Sequence, residues 1–198
     1  RLDLVHDLAS PQPLGQTIDH AAGKAIDKVS RMLWLGYPGG PALQHAALGG
    51  NAEAFSFPVA LGDASARDFS FAGVKTSLLY TVRDLGPDEL ESARADLAAS
   101  YQEAIVRPLA DRLIDAAREH RVPAVAIGGG VAANSRLREM LTEAGDTEGI
   151  TVAMPAMDLC TDNAAMIGAA AQFTELVPWP DYLGLDAIPT APPGGIAA

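Results

Sequence analysis

The chain has 198 residues, of which 48% are hydrophobic and 20% charged, and a formal net charge of −11. The hydrophobic share excludes a disordered chain and suffices for a sizeable core, while the acidity excludes strong non-specific attraction to nucleic acid, which scales with the Lys and Arg available to neutralise phosphates. The single cysteine, Cys160, excludes a disulfide framework and a Cys-rich zinc site, and no apolar run reaches the roughly 18 residues that span a bilayer, so a soluble cytoplasmic protein with no membrane partner is expected.

The chain starts at Arg1, and residues 2–6 already read as a strand, so a fragment of a longer protein is expected. Residues 10–15 read as a loop, after which Thr17 can cap a helix to about residue 35. Ile18, Ala21, Ala22, Ala25, Ile26, Val29, Met32 and Leu33 recur there at helical spacing, and Gly36 stops it. The polar face of that helix carries Asp19, Lys24, Asp27, Lys28 and Arg31, in which Asp27 and Arg31 form an opposite-charge pair at i,i+4. Residues alone leave Asp27 open between that solvated pair and a site. Tyr37-Pro-Gly-Gly-Pro41 is a rigid turn opening a short helix to Leu48, either a plain connector or a place where bare backbone amides reach the surface.

Residues 55–61 suggest a short strand. The alternation of Phe69 and Phe71 suggests another, with a helix from Val74 to about residue 85 whose first turn holds Lys75, an unfavourable place for a cation unless an anion is near. Gly86-Pro-Asp-Glu89 opens a long helical stretch to about residue 121, which Pro108 should kink or split. Residues 123–127 form a strand-length apolar run that leads into Gly128-Gly-Gly130 and a helix begun by Asn134 or Ser135. Such a turn either cradles an anion with its backbone N–H groups or merely joins strand to helix. A second strand at residues 149–154 predicts a parallel pair with a helical crossover. A second buried helix should then run to about residue 176, with Thr161 and Asp162 at its start, where Asp162 suits a cap or a metal. The Pro-, Gly- and Ala-rich residues 178–198 read as a surface-wrapping or disordered tail.

Taken together, the segments Leu14-Gly-Gln-Thr-Ile-Asp-His-Ala-Ala-Gly-Lys-Ala-Ile-Asp-Lys28, Gly36-Tyr-Pro-Gly-Gly-Pro41, Phe69-Ser-Phe-Ala-Gly-Val-Lys-Thr76, Gly128-Gly-Gly-Val-Ala-Ala-Asn134 and Cys160-Thr-Asp-Asn-Ala-Ala-Met166 closely resemble the tRNA N6-adenosine threonylcarbamoyltransferase family, formerly labelled O-sialoglycoprotein endopeptidase. The resemblance implies an α/β fold, the C-terminal lobe of an actin/Hsp70/sugar-kinase ATPase-like fold with a largely helical insertion. That lobe would occupy residues 1–177, mostly helical over 16–121 and strand-helix-strand-helix over 122–177. It also implies transfer of a threonylcarbamoyl group from threonylcarbamoyl-AMP to N6 of the anticodon-adjacent adenosine in tRNAs reading ANN codons. Position by position, Asp27, Gly40 and Asn134 look like contacts to the adenylate, and Asp162 like a ligand of a divalent metal, iron with zinc as the alternative. No covalent nucleophile is implied. The implied partners are tRNA, a paralogous actin-like-fold subunit and a P-loop ATPase subunit.

The sequence also departs from that pattern. The family's His-x-x-x-His metal motif has no counterpart among His6, His20, His45 and His120, so the remaining ligands should lie outside this chain, which alone should be inactive. Gln16, His20 and Lys24 stand where the family is usually acidic, and Ala72 where it usually has serine. The competing reading is a non-catalytic actin-like-fold partner or scaffold of the same modification complex; Asp162 in its Thr-Asp-Asn context favours the enzyme. Peptidase activity lacks an H-E-x-x-H motif or paired acids with a nucleophile.

Overall fold

The structure is a computed structural model, which describes residues 1–8, 10–59, 67–173 and 176–185. It is mixed α/β. In chain order come β1 (Leu2–Leu4), β2 (Gln12–Gly15), α1 (Ala22–Met32), α2 (Gly39–Ala47), α3 (Ala72–Asp84), α4 (Pro87–His120), β3 (Ala124–Ala126), α5 (Ser135–Glu148), β4 (Thr151–Ala153) and α6 (Ala164–Ala170).

Helix α4 is the spine. Pro87 opens it, the Glu89 carboxylate accepts from the Gly86 N–H at 3.0 Å, and Arg121 in the left-handed region closes it. The helix runs unbroken through Pro108, because the apolar faces on both sides of the proline are packed and hold the turn that has lost a hydrogen bond. Leu97, Tyr101 and Ile105 enter one core with α1, α2 and α3, while Val106, Ala110 and Ile114 enter a second with Leu137, Met140 and Leu141 of α5.

The strands are short. β3 and β4 pair in parallel, Val125 against Val152, with α5 as the crossover, as expected. β1 finds an unexpected antiparallel partner in β2, where the sequence reads as a loop: Leu2 lies opposite Gly15 and Leu4 opposite Gln12, and both leucines bury their side chains. No strand forms over residues 51–59, and Leu61 lies outside the described residues. The strand expected at Phe69 and Phe71 shrinks to one bridge between Thr17 and Phe69.

The cause is Asp19. Rather than riding on a helix, it precedes α1, which starts at Ala22 with no side-chain cap. Its carboxylate accepts from the N–H groups of Phe71 (2.9 Å) and Ala72 (3.2 Å), from the Ser70 hydroxyl and from the His20 N–H. Those bonds start α3 at Ala72 and end strand geometry there. Partial burial pushes the carboxyl upward, but the four bonds outweigh it and hold the group well below the usual carboxylate range.

One core group is poorly served. Tyr101 is fully buried with its ring edge-on to Phe57 at 5.8 Å, and its hydroxyl has no hydrogen-bond partner among the described residues. Burial raises the phenol further above its ordinary value. An unpaired buried hydroxyl costs about 1–3 kcal/mol, so Tyr101→Phe is expected to raise stability by about 1 kcal/mol in urea denaturation at unchanged slope. A loss of stability would show that the hydroxyl is paired.

Candidate functional site

Ala25, Ile26 and Val29 bury one face of α1 and leave Asp27 half-buried beside the entry to α2. The charge pair expected with Arg31 does not form among the described residues; instead Asp27 Oδ1 accepts from the Gly39 N–H at 3.2 Å. The chain reaches that point through Trp34 and Gly36, both at positive φ, and the buried Ser30 hydroxyl donates to the Gly36 carbonyl at 2.9 Å. Gly39 packs so closely on α1 that a Cβ there would stand 2.6 Å from both the Cα and Oδ1 of Asp27. Gly40, one residue on, meets nothing within 4 Å, so its backbone is open to a ligand.

The glycine turn approaches from the other side. After β3, Gly129 takes φ 81°, residues Gly130–Ala133 form a 3₁₀ turn, and Asn134 caps α5 with Oδ1 accepting from the Leu137 N–H at 3.0 Å. Asn134 Nδ2 donates to Gln102 Oε1 of α4 at 2.9 Å. The next N–H, that of Ser135, donates to Gln44 Oε1 of α2 at 2.8 Å. Helix α2 thus bonds α1 at Asp27 through Gly39 and the first residue of α5, next to Asn134, through Gln44. The turn itself lines a cleft of about 470 Å³ with Ala21, Ala22 and Gly23 at the start of α1. Asp27, Gly40, Asn134 and Asp162 do not line that cleft, so its volume does not measure their site.

Arg138 ties the turn to the segment after β4. Its Nε donates to the Ala132 carbonyl and its Nη2 to the Pro155 carbonyl, each at 2.6 Å, and Nη2 also reaches the buried Cys160 Sγ at 3.3 Å. Beyond Cys160 the expectation fails in part. Helix α6 forms but is exposed along its length, and Asn163 rather than Asp162 caps it, accepting from the Met166 N–H at 2.9 Å. The amide of Asn163 reaches that N–H from the position directly before the helix, which leaves Asp162 exposed with no hydrogen bond or ion pair among the described residues. Nor do three or more His, Cys, Asp or Glu side chains converge there as a metal would require. One carboxylate does not fit a metal by itself, and this chain's own residues support no step through one.

Gln44 and Gln102 carry no signal in the sequence. An uncharged glutamine on a helix looks like any solvated residue, although Gln44 lies four residues after Gly40, on the same side of α2. Among the departures from the family pattern, His20 Nε2 stands 3.2 Å from Lys28 Nζ, and Ala72 contributes its backbone N–H to Asp19.

Known proteins of similar sequence point to one family. The family described as tRNA N6-adenosine threonylcarbamoyltransferase matches residues 4–169. A protein of that name from Desulfitobacterium hafniense (strain Y51) is 47% identical over 182 residues, covering 90% of this chain and 52% of the relative. One from Clostridium novyi (strain NT) is 47% identical over 177 residues, covering 89% and 52%. One from Thermosynechococcus vestitus is 48% identical over 172 residues, covering 84% and 49%. The chain thus spans about half the length of the curated relatives it matches.

Proposed function

The chain belongs to the tRNA N6-adenosine threonylcarbamoyltransferase family, and from that premise we propose that it is the C-terminal half of such an enzyme, carrying one wall of its adenylate pocket. The observation that carries the reading is that α2 holds Asp27 through the Gly39 N–H and the start of α5, beside Asn134, through Gln44 and the Ser135 N–H, in a chain of this family. On this reading residues 1–177 are the C-terminal lobe of an actin-like ATPase fold. Met166, Ile167 and Phe173, exposed on α6 and the turn that follows it, support it, since neighbouring exposed apolar side chains often mark a contact with another body.

In the proposed site Asp27 accepts from the vicinal ribose hydroxyls with the carboxylate oxygen not engaged by Gly39, Gly40 lets the nucleoside approach bare backbone, and Asn134 supplies an amide. The reaction is acyl transfer. The N6 amine of the tRNA adenosine attacks the threonylcarbamoyl carbonyl, the new C–N bond forms, the bond from the carbonyl carbon to the phosphate oxygen breaks, and AMP leaves while the amine releases a proton. Binding both reactants in register is itself a large part of such catalysis. Asp162 is proposed as one donor to a divalent metal, iron or alternatively zinc, whose other ligands and whose phosphate-binding wall belong to the other half; this chain alone is inactive. tRNA, a paralogous actin-like subunit and a P-loop ATPase are the proposed partners, in the cytoplasm. No described helix is long and apolar enough to cross a membrane.

The test is to join this chain to the N-terminal half of the Desulfitobacterium hafniense relative and assay modified adenosine in tRNA by mass spectrometry.

A further inference from the structure

Nucleotide contact by Asn134 rests on the proposed function; the bonds that fix that side chain are visible directly. We propose that Gln102 is a positioning residue for nucleotide binding, which holds the Asn134 amide so that it presents an N–H donor to the nucleoside. Both residues are only 8% exposed and come from helices whose contact spans 32 positions of sequence. An amide offers two N–H donors and an oxygen acceptor. The Asn134 oxygen is committed to the Leu137 N–H at 3.0 Å, since the reverse orientation would set donor against donor. One N–H goes to the Gln102 amide at 2.9 Å, which turns its oxygen toward the nitrogen that the Leu137 contact places there. The Leu137 contact sets the orientation, the Gln102 contact holds the nitrogen end, and among the described residues the other N–H is left without a partner. The nucleoside atom that meets it is an acceptor, a hydroxyl oxygen or a ring nitrogen. Losing Gln102 would leave the amide held at one end only, free to turn about its last bond, and the donor would no longer be pre-set.

The experiment titrates AMP by calorimetry into this chain joined to the N-terminal half of the Desulfitobacterium hafniense relative, and follows the Asn134 side-chain amide resonances by NMR, with this chain unaltered and carrying Gln102→Leu, Gln102→Glu or Asn134→Ala. Gln102→Leu is expected to weaken AMP binding about tenfold, the worth of roughly one hydrogen bond, and to move the two Asn134 amide signals toward the shifts of a free asparagine amide. Gln102→Glu keeps an acceptor at the same reach and is expected to restore binding to within about threefold and to keep those signals near their unaltered shifts. Should Gln102→Leu fail to fold, Gln102→Met, which keeps the length of the side chain without an acceptor, takes its place. Equal loss in the Leu and Glu variants, or AMP binding unchanged in Gln102→Leu while Asn134→Ala binds weakly, overturns the positioning role and leaves the site reading intact. Binding unchanged in Asn134→Ala, or absent from the unaltered chain, overturns the site reading and the role of Gln102 with it.

Discussion

Asp162→Ala, made in this chain joined to an N-terminal half, is expected to lower threonylcarbamoyl transfer at least a hundredfold while leaving the unfolding temperature where it was. The two parts of that result come from one observation. Asp162 is exposed and makes no hydrogen bond or ion pair among the described residues, and the cap of α6 belongs to Asn163. Surface substitutions free of such duties change stability by about 0.5 kcal/mol or less. A carboxylate without structural work can be lost from the fold at almost no cost, so lost activity would report chemistry. On the proposed reading Asp162 is a metal donor, and since replacing even the partners that orient such donors costs about 10–100-fold, losing the donor itself should cost more. Full activity in the Asp162→Ala enzyme, read as modified adenosine, would remove Asp162 from the site.

Gly39→Ala is the corresponding result for the fold beneath the site. An added Cβ would lie 2.6 Å from the Cα of Asp27 and 2.6 Å from its Oδ1. The first is backbone in the middle of α1 and cannot step aside, so α1 and α2 must separate. Overpacking of this kind costs about 1–3 kcal/mol and occasionally more; for a chain of this length the upper part of that range lowers the melting temperature by roughly 6–12 °C. Separation also breaks the bond from Gly39 to Asp27 and carries Gly40 and Gln44 away from α5, so AMP binding should fall with stability. Gly40→Ala makes the contrast. Its Cβ meets nothing within 4 Å, and alanine is the better helix former by about 0.5–1 kcal/mol, so it should melt no lower than the unaltered chain while still weakening AMP binding by obstructing the bare backbone. Equal melting temperatures for Gly39→Ala and the unaltered chain would contradict the close packing of α2 on α1.

What could be read from residues alone was whatever depended on local pattern. The 3.6-residue periodicity located α4 and α1, the latter from Ala22 rather than from Thr17, the glycine run located the turn before α5, and the apolar runs flanking α5 located the parallel pair of β3 and β4. Bonds between distant residues were not legible. Asp19 looked like one more charge on the polar face of a helix, because nothing in the sequence shows that Phe71 and Ala72, 52 and 53 positions away, offer it their N–H groups. Asp27 looked paired with Arg31 for the same reason, whereas Gly39 outcompetes that side chain by bringing a fixed backbone donor against it. The α6 segment looked buried because Ala164, Met166 and Ile167 are apolar, yet burial depends on what lies opposite, and no described element covers them. The motifs pointed to Asp27, Gly40, Asn134 and Asp162, but not to Gln44 and Gln102, the uncharged side chains that hold Asn134 and its helix in place.

If this chain is half of a threonylcarbamoyltransferase, as proposed, joining it to the other half restores the transfer. The chain joined to the N-terminal half of the Desulfitobacterium hafniense relative is supplied with threonylcarbamoyl-AMP and an unmodified tRNA that reads ANN codons, together with the paralogous subunit and the ATPase, and the tRNA is digested for mass spectrometry. The predicted result is N6-threonylcarbamoyladenosine at the anticodon-adjacent position with the joined protein and none with either half alone. Unmodified adenosine from a joined protein that is folded and binds AMP would contradict the claim.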